Sequence, residues 1–352
     1  MTAPLLSRPV AIRPAVPIDE ARIVAYVANH PDGTPFHLPA WGRAVADGCN
    51  QTDATLVAEG ADGAIAGVLP LTRVASRLFG TALVSAGFAV GGGILADDAG
   101  AARDLANEAW RRATDLSAAS LELRGGSAPG GEFRTDDATY LGFVRPLAAD
   151  DSAELAAIPR KQRAEVRKAL AGDFAISVGR AACDLADHYA VYSESVRNLG
   201  TPVFPRRLFA TVLAAMDADI LTVRHGSVPV ASVLSLYWRG TVLPYWGGGT
   251  AAARPLRAND AMYFALMRHA RERGCTRFDF GRSKAGTGAA AFKRNWGFEG
   301  RPLPYHVRTA DGAARRAVNP LDPRYARKVA AWKRLPLPVA NLIGPWLARG
   351  LG

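Results

Sequence analysis

Between positions 278 and 297 the chain gathers groups that could hold and polarise a substrate. An apolar run, Phe278-Asp279-Phe280, leads into Gly281 and then Arg282-Ser283-Lys284: a guanidinium, a hydroxyl and an ammonium in succession. Gly286 and Gly288 follow, and Phe292-Lys293-Arg294-Asn295-Trp296 ends at Gly297. The pattern predicts a strand that stops at Phe280, a glycine hinge, and a short helix closed by Gly297. Such a strand end delivers its polar groups to one rim, and the helix returns Lys293 beside them. A cluster of this kind suits an anionic or carbonyl-bearing substrate. On residue types alone, a solvated basic loop fits equally well.

The elements that position this block occur twice. In the first half a strand at 55–59 turns at Ala61-Asp62-Gly63 into a long strand at 64–74. A strand at 78–86 reaches Gly91-Gly92-Gly93, then a helix at 99–116 and a strand at 120–124 follow. The second half repeats the order with strands at 220–224, 229–238 and 242–246, Gly247-Gly248-Gly249, a helix at 259–273 and a strand at 276–280. The triple glycines are offset by 156 residues, and Leu121-Glu122-Leu123 from Phe278-Asp279-Phe280 by 157. A shared offset across intervening helices reads as two copies of one α/β unit. Each copy is an antiparallel meander followed by a helical crossover to a further strand. Residues 126–138 read as an exposed loop, and the expected division is 1–150, 151–315 and a tail from 316 to 352.

Composition limits the function classes. Hydrophobic residues make up 49% and charged residues 21%, a globular balance in a chain long enough for two domains. Three scattered cysteines form no CxxC, which argues for a reducing cytoplasm. Six scattered histidines make no metal-ligand spacing, so no metal is expected; no cofactor is expected either. The first ten residues hold two prolines and no long apolar core, so no signal peptide is expected, and no run is long enough to span a membrane. No GxSxG, P-loop or paired-carboxylate motif appears, which leaves hydrolase and kinase readings without support. Net charge is +11, and residues 301–352 hold ten Arg or Lys against two Asp. A second basic focus runs from Arg160 to Lys168, with Arg160, Arg163 and Arg167 on one helix face. Basic patches imply an acidic partner, such as nucleic acid, phosphate groups or anionic lipid. A high-GC genome that favours Arg would give part of this charge with no function.

A meander, a glycine-bearing strand end, an amphipathic helix and a further strand resemble the GNAT acyltransferase pattern. Two in tandem resemble the FemAB family of aminoacyl and acyl transferases. Residues 30–41 (HisProAspGlyThrProPheHisLeuProAlaTrp) are similar to the family's opening segment, and 160–169 to the helix that begins its second domain. Residues 279–288 with 292–298 are similar to its closing region, and the match leans toward the branch associated with PEP-CTERM/exosortase systems. The resemblance implies two tandem GNAT-like domains, each a mixed, mostly antiparallel sheet flanked by helices. It implies attack by an amine or hydroxyl of a cell-envelope or exopolysaccharide intermediate on an acyl or aminoacyl donor. The lysine of the family's Phe-Lys motif falls at Lys293, where an ammonium would stabilise the oxyanion. The sequence shows no inserted coiled-coil arm of the kind some aminoacyl-tRNA users carry, so aminoacyl-tRNA and acyl-CoA both stay open as donors. Neither copy makes a good pyrophosphate loop of the acetyl-CoA kind: the second has no glycine over 254–260, and the first follows its glycines with Asp97 and Asp98, which repel phosphate, although Arg254 and Arg257 could supply charge in another way. DNA is not expected as a partner.

The residue types, read beside the resemblance, suggest lesser roles. Arg282 and Ser283 would touch substrate from the strand end. Asp279 would orient Arg282, accept the amine proton or close a structural ion pair. Tyr245 and Trp246 would form an aromatic wall or pack in the core. Asn259 stands as an N-cap beside the substrate, and Tyr305 would reach in from the last strand. Arg163 and Arg167 would line a donor or acceptor channel. In the tail, Trp332, Leu335, Leu337, Val339, Leu342, Ile343, Trp346 and Leu347 alternate with Arg327, Lys328, Lys333, Arg334 and Arg349. That mixture suits either an interfacial segment on the inner face of a membrane or packing on the second domain. Pro336, Pro338 and Pro345 rule out one long helix there.

Overall fold

The computed structural model describes residues 10–311 and 326–351. In chain order the elements begin β1 (Val10–Pro14), α1 (Glu20–Asn29), α2 (Pro39–Cys49), β2 (Thr52–Asp53), β3 (Leu56–Gly60), β4 (Ile65–Leu69) and β5 (Leu71–Ser76). They continue with β6 (Gly80–Ser85), β7 (Leu95–Ala96), α3 (Ala99–Asp115), β8 (Ser120–Arg124), β9 (Arg134–Asp136), β10 (Tyr140–Pro146), α4 (Asp151–Ala157), α5 (Arg160–Leu170) and β11 (Ala175–Gly179). Next come α6 (Ala182–Leu199), α7 (Arg206–Ala215), β12 (Ala218–His225), β13 (Val228–Trp238), β14 (Thr241–Gly249), α8 (Ala253–Leu256) and α9 (Ala258–Glu272). The chain closes with β15 (Arg277–Lys284), α10 (Gly288–Asn295), β16 (Gly300–Pro302), β17 (Tyr305–Thr309), α11 (Ala326–Lys333) and α12 (Leu337–Ala348).

Two compact units form, and they trade strands along the sequence. Within the described residues one unit holds 10–137, 303–311 and 349–351, and the other holds 138–302 and 326–348. The division therefore falls before β10 rather than at 150. β10 pairs antiparallel with β15 from Tyr140↔Lys284 to Pro146↔Arg277, which commits it to the second unit. β17, expected in the second domain, pairs with β8 and β9 and completes a sheet of the first. Part of the expected 126–138 loop is thus the strand β9.

The first unit has a four-stranded sheet, β1-β3-β4-β7, and a six-stranded sheet, β2-β5-β6-β8-β17-β9. Pro70 divides what the sequence reads as one long strand into β4 and β5, which lie in different sheets. β6 and β8 run parallel at Leu83↔Leu121 and Val84↔Glu122. Beyond them the two segments stay in touch: Ile94 bridges Gly126, and a Cβ on Gly93 would lie 1.9 Å from the Gly125 carbonyl oxygen. Side chains fix this closure. His37 Nε2 lies 3.2 Å from the Gly93 carbonyl, Trp41 Nε1 donates to Gly87 O at 3.1 Å, and Tyr305 Oη donates to Val90 O at 3.1 Å. Burial keeps His37 neutral, with its pKa lowered to about 4. The 30–41 motif is thus a plug of the first unit.

The second unit is one seven-stranded sheet in the order β11-β12-β13-β14-β15-β10-β16. β13, almost wholly buried, is its spine and carries β12 and β14 on its two edges. α9 is amphipathic: Met262, Phe264, Leu266, Met267 and Ala270 are buried, whereas Arg268 and Glu272 face solvent. The core beneath is aromatic, with Phe143, Phe278, Phe280, Trp296 and Phe298 all buried. No helix among the described residues is long and apolar enough to cross a membrane.

Candidate functional site

In the second unit, β14 and β15 part. They run parallel for two registered positions only, Thr241↔Arg277 and Val242↔Phe278. β14 keeps its ladder with β13 out to Gly249, and β15 keeps its ladder with β10 out to Lys284. The facing edges beyond that point share no ladder, and a notch opens in the sheet. Two bulges bend the strands apart. In β14 the register slips at Tyr245, since Leu234 faces Trp246 while Ser235 faces Pro244, a residue with no N–H to donate. In β15, Arg282 faces Gly142 and Asp279 faces Val144, so Phe280 and Gly281 together oppose Phe143. Gly281 takes φ +67°, a conformation open to glycine at no steric cost.

This bulge holds Lys293. The lysine sits on α10, whose N-terminus is capped by the Thr287 hydroxyl accepting from Ala290 N–H. Its Nζ donates to Gly281 O at 3.2 Å and Arg282 O at 2.9 Å, carbonyls that the bulge turns toward it. The Phe143 and Phe280 rings lie 5.3 and 5.8 Å from the ammonium. Lys293 is only 9% exposed, and burial lowers its pKa to about 8, with Asp279 opposing the shift and Arg282 adding to it. The result is a desolvated cation held on fixed dipoles of β15, the strand that borders the notch.

The groups around it divide in a way the sequence does not predict. β15 runs on to Lys284 instead of ending at Phe280, so Arg282-Ser283-Lys284 is strand and its side chains alternate. Arg282 and Lys284 both lie over the Tyr140 ring, at 4.8 and 5.8 Å, whereas Ser283 is buried. The three do not converge on one rim. Asp279 turns back to accept the Gly281 N–H at 2.8 Å, closing the bulge, and burial raises its pKa. Trp246 is core, packed edge-on to Phe209 at 4.8 Å, while Tyr245 at the β14 bulge stays half-buried. Tyr305 is fully buried in the first unit. Asn259 is not the N-cap, because Arg257 takes the left-handed conformation (φ 59°) there and α9 starts at Ala258. Arg163 spends its guanidinium on Ile158 O at 3.0 Å and Ala156 O at 2.8 Å, while Arg167 is exposed.

The glycine run at the end of β14 lets helices close on it. A Cβ on Gly248 would meet Ser195 Oγ of α6 at 2.3 Å, and one on Gly249 would meet Asn259 Oδ1 at 2.7 Å. That Asn259 oxygen is buried and has no hydrogen-bond partner among the described residues. Tyr263 Oη lies 3.5 Å from the Cβ position of Gly247, and burial pushes its pKa up to about 12. One cluster escapes sequence reasoning altogether. Asp260 accepts from Gln162 Nε2 at 2.7 Å, and burial, with Glu165 nearby, raises its pKa to about 6. Its partner lies 98 residues away, on the basic helix that begins at Arg160, and nothing in the local sequence of either residue signals the pairing. Among the described residues no group of His, Cys, Asp and Glu is arranged to hold a metal.

Residues 159–294, most of the unit with the open notch, match the acetyltransferase (GNAT) domain family. No curated protein sequence matches the chain. In structure the chain is similar to FemX, with TM-score 0.64 and 15% identity over 84% of this chain and 96% of that one. It is also similar to a C-terminal domain assigned to a lysylphosphatidylglycerol synthetase of Agrobacterium fabrum (TM-score 0.56, 12% identity, 84% and 93% covered). A tandem GNAT protein from the clavulanic acid biosynthesis pathway matches at TM-score 0.54 and 12% identity over 87% of this chain and all of that one. The chain carries a mixed α/β, GNAT-like fold, and its match to the GNAT domain family falls on the unit that holds the notch and Lys293.

Proposed function

We propose that the protein is a FemAB-like transferase that moves an acyl or aminoacyl group onto an amine or hydroxyl in the notch of the second unit. The observation that carries this reading is Lys293, a desolvated ammonium held on carbonyls of β15, the strand that borders the notch, while the matching place in the first unit is closed by Ile94 and Gly126. The acceptor nitrogen or oxygen attacks the donor carbonyl, and the ammonium offsets the negative charge that develops on the carbonyl oxygen. The acceptor loses one proton, for which Asp279 is the proposed base, and the leaving oxygen or sulfur gains one. Holding both substrates together supplies much of the remaining rate.

Aminoacyl-tRNA is favoured over acyl-CoA as the donor. At the start of α9, where a GNAT pyrophosphate would need free N–H groups and positive charge, Asp260 brings a carboxyl. Arg257 there is already paired with Glu165 at 2.5 Å. The acceptor class we propose is a cell-envelope or exopolysaccharide intermediate, as in the PEP-CTERM/exosortase-associated branch that the sequence resembles. A non-catalytic protein that binds such an intermediate would share the fold, and Lys293→Ala separates the two. Mass spectrometry of envelope intermediates from cells with wild type, Lys293→Ala or no protein should show one acylated species that requires the lysine. A species unchanged by Lys293→Ala would remove the lysine from the chemistry.

A further inference from the structure

The tail helices pack on the second unit, yet they do so with the wrong side for a helix whose task is core packing. α12 turns Ala340, Gly344 and Ala348 inward. Gly344 lies against Val203, and Asn341 Nδ2 donates to Ser193 Oγ of α6 at 3.2 Å. The large apolar side chains point out: Leu342 is 80% exposed, Trp346 47%, Val339 39% and Ile343 39%. These four stand at i, i+3, i+4 and i+7, one continuous helical face. Leu199 at the end of α6, 68% exposed, adds to the apolar surface beside α11, since the Cβ position of the next residue, Gly200, meets Val329.

The charge around this face has one sign. Residues 326–351 contain no Asp or Glu, while Arg327, Lys328, Lys333 and Arg334 are exposed. Arg206 and Arg207, exposed at the start of α7, follow closely on the Val203 that seats α12. We infer that the outer face of α12 docks on the surface of an anionic lipid bilayer, with Leu342, Ile343 and Trp346 in the headgroup–acyl boundary and the basic residues over the lipid charges. A protein partner for such a face would need an acidic rim. A bilayer of anionic lipid supplies both the apolar layer and the charge. α12 has 12 residues, too short to span, so the attachment is interfacial and reversible. This inference is independent of the transfer chemistry.

The test is flotation of the full chain with vesicles of phosphatidylcholine plus phosphatidylglycerol, against phosphatidylcholine alone. Wild type should float with the anionic vesicles only. Leu342→Gln/Ile343→Gln/Trp346→Gln should lower partitioning by about tenfold or more, and Lys333→Gln and Arg334→Gln by about fivefold each. A melting curve accompanies each variant. If the triple variant melts early, the charge variants, which alter only exposed residues, decide the matter alone. Absence of wild-type flotation, or unchanged flotation of the charge variants, overturns the inference. So does sedimentation showing a wild-type dimer that the triple variant dissolves while no vesicle binding occurs, since a second copy would then cover the face.

Discussion

Lys293 hangs from the backbone of Gly281: its Nζ donates to that carbonyl at 3.2 Å and to the next, of Arg282, at 2.9 Å. The contact exists because Gly281 adopts φ +67° within a bulge that Asp279 closes from the other side. Nothing lies within 4 Å of a Cβ built on Gly281, so backbone conformation and not space makes glycine suitable there. The lysine is positioned by main chain, which is rigid, and not by a mobile side-chain partner.

Lys293→Met keeps the length and apolar contacts of the side chain and removes its charge. Turnover should fall by about a hundred- to a thousandfold, the range for losing one preorganised oxyanion donor. The fold should survive, because a buried cation is replaced by a side chain that fits irregular apolar space. An intact melting curve with no acylated intermediate in the mass spectrum is the expected pair. Full turnover would reassign the residue.

The same lysine gives a pH signature. Burial lowers its pKa to about 8 from 10.5, so between those values the unfolded chain binds more protons than the folded one. This contribution disfavours folding below about pH 8 and is relieved as pH rises toward 10.5. Wild type should therefore gain on Lys293→Met across that window, by about 3 kcal/mol at most. Urea unfolding of both proteins at several pH values reads the difference directly, and parallel curves would mean that the ammonium is well solvated.

Asp260 titrates in the opposite sense. Its pKa is raised to about 6 from 3.8, so the folded state binds the proton more tightly and stability drops as pH climbs from about 4 to 6. Asp260→Asn keeps an oxygen that can accept from Gln162 and should stabilise the protein by about 1–2 kcal/mol at pH 7, discounted for partial exposure, with the advantage gone near pH 4. A stability gain that persists at pH 4 would point to a cause other than the buried charge.

Gly248 tests how closely α6 is held to the sheet. A methyl group there would lie 2.3 Å from Ser195 Oγ and 2.7 Å from its Cβ. Gly248→Ala should cost about 1–3 kcal/mol through overpacking, and adding Ser195→Gly should recover part of it. Additive losses in the double variant would show that the two residues do not compete for the same space.

Much of this fold was legible, and the reasons are local. The meander, the crossover helix and the doubled order come from apolar patterning and glycine punctuation, and β12 to β15 with α9 lie close to where that patterning puts them. What escaped depends on pairing between distant segments. β10 reads as the end of the first half, yet its partner is β15; β17 reads as the end of the second, yet its partners are β8 and β9. The site divides the same way. Lys293 was visible from its motif, but its support is two carbonyls that carry no sequence signal. Arg282 and Lys284 were visible as charges, but a strand that continues through a bulge at Gly281 sends them over Tyr140.

The basic helix α5 separates structural from electrostatic arginines. Arg163 ties the carbonyls of Ala156 and Ile158 at the end of α4, whereas Arg160 and Arg167 are exposed. Arg163→Gln should lower stability by about 1 kcal/mol through the lost hydrogen bonds and leave polyanion affinity nearly unchanged. Arg160→Gln and Arg167→Gln should leave the melting temperature alone and weaken binding to tRNA at low ionic strength, each lowering the salt slope by about one. Filter binding of tRNA at several salt concentrations, beside melting curves, tells the two kinds apart. If all three substitutions weaken tRNA binding equally with no thermal change, the Arg163 guanidinium leaves its carbonyls for the ligand and belongs with the other two. If none of them does, α5 is a solvated face and tRNA reaches the notch by another route.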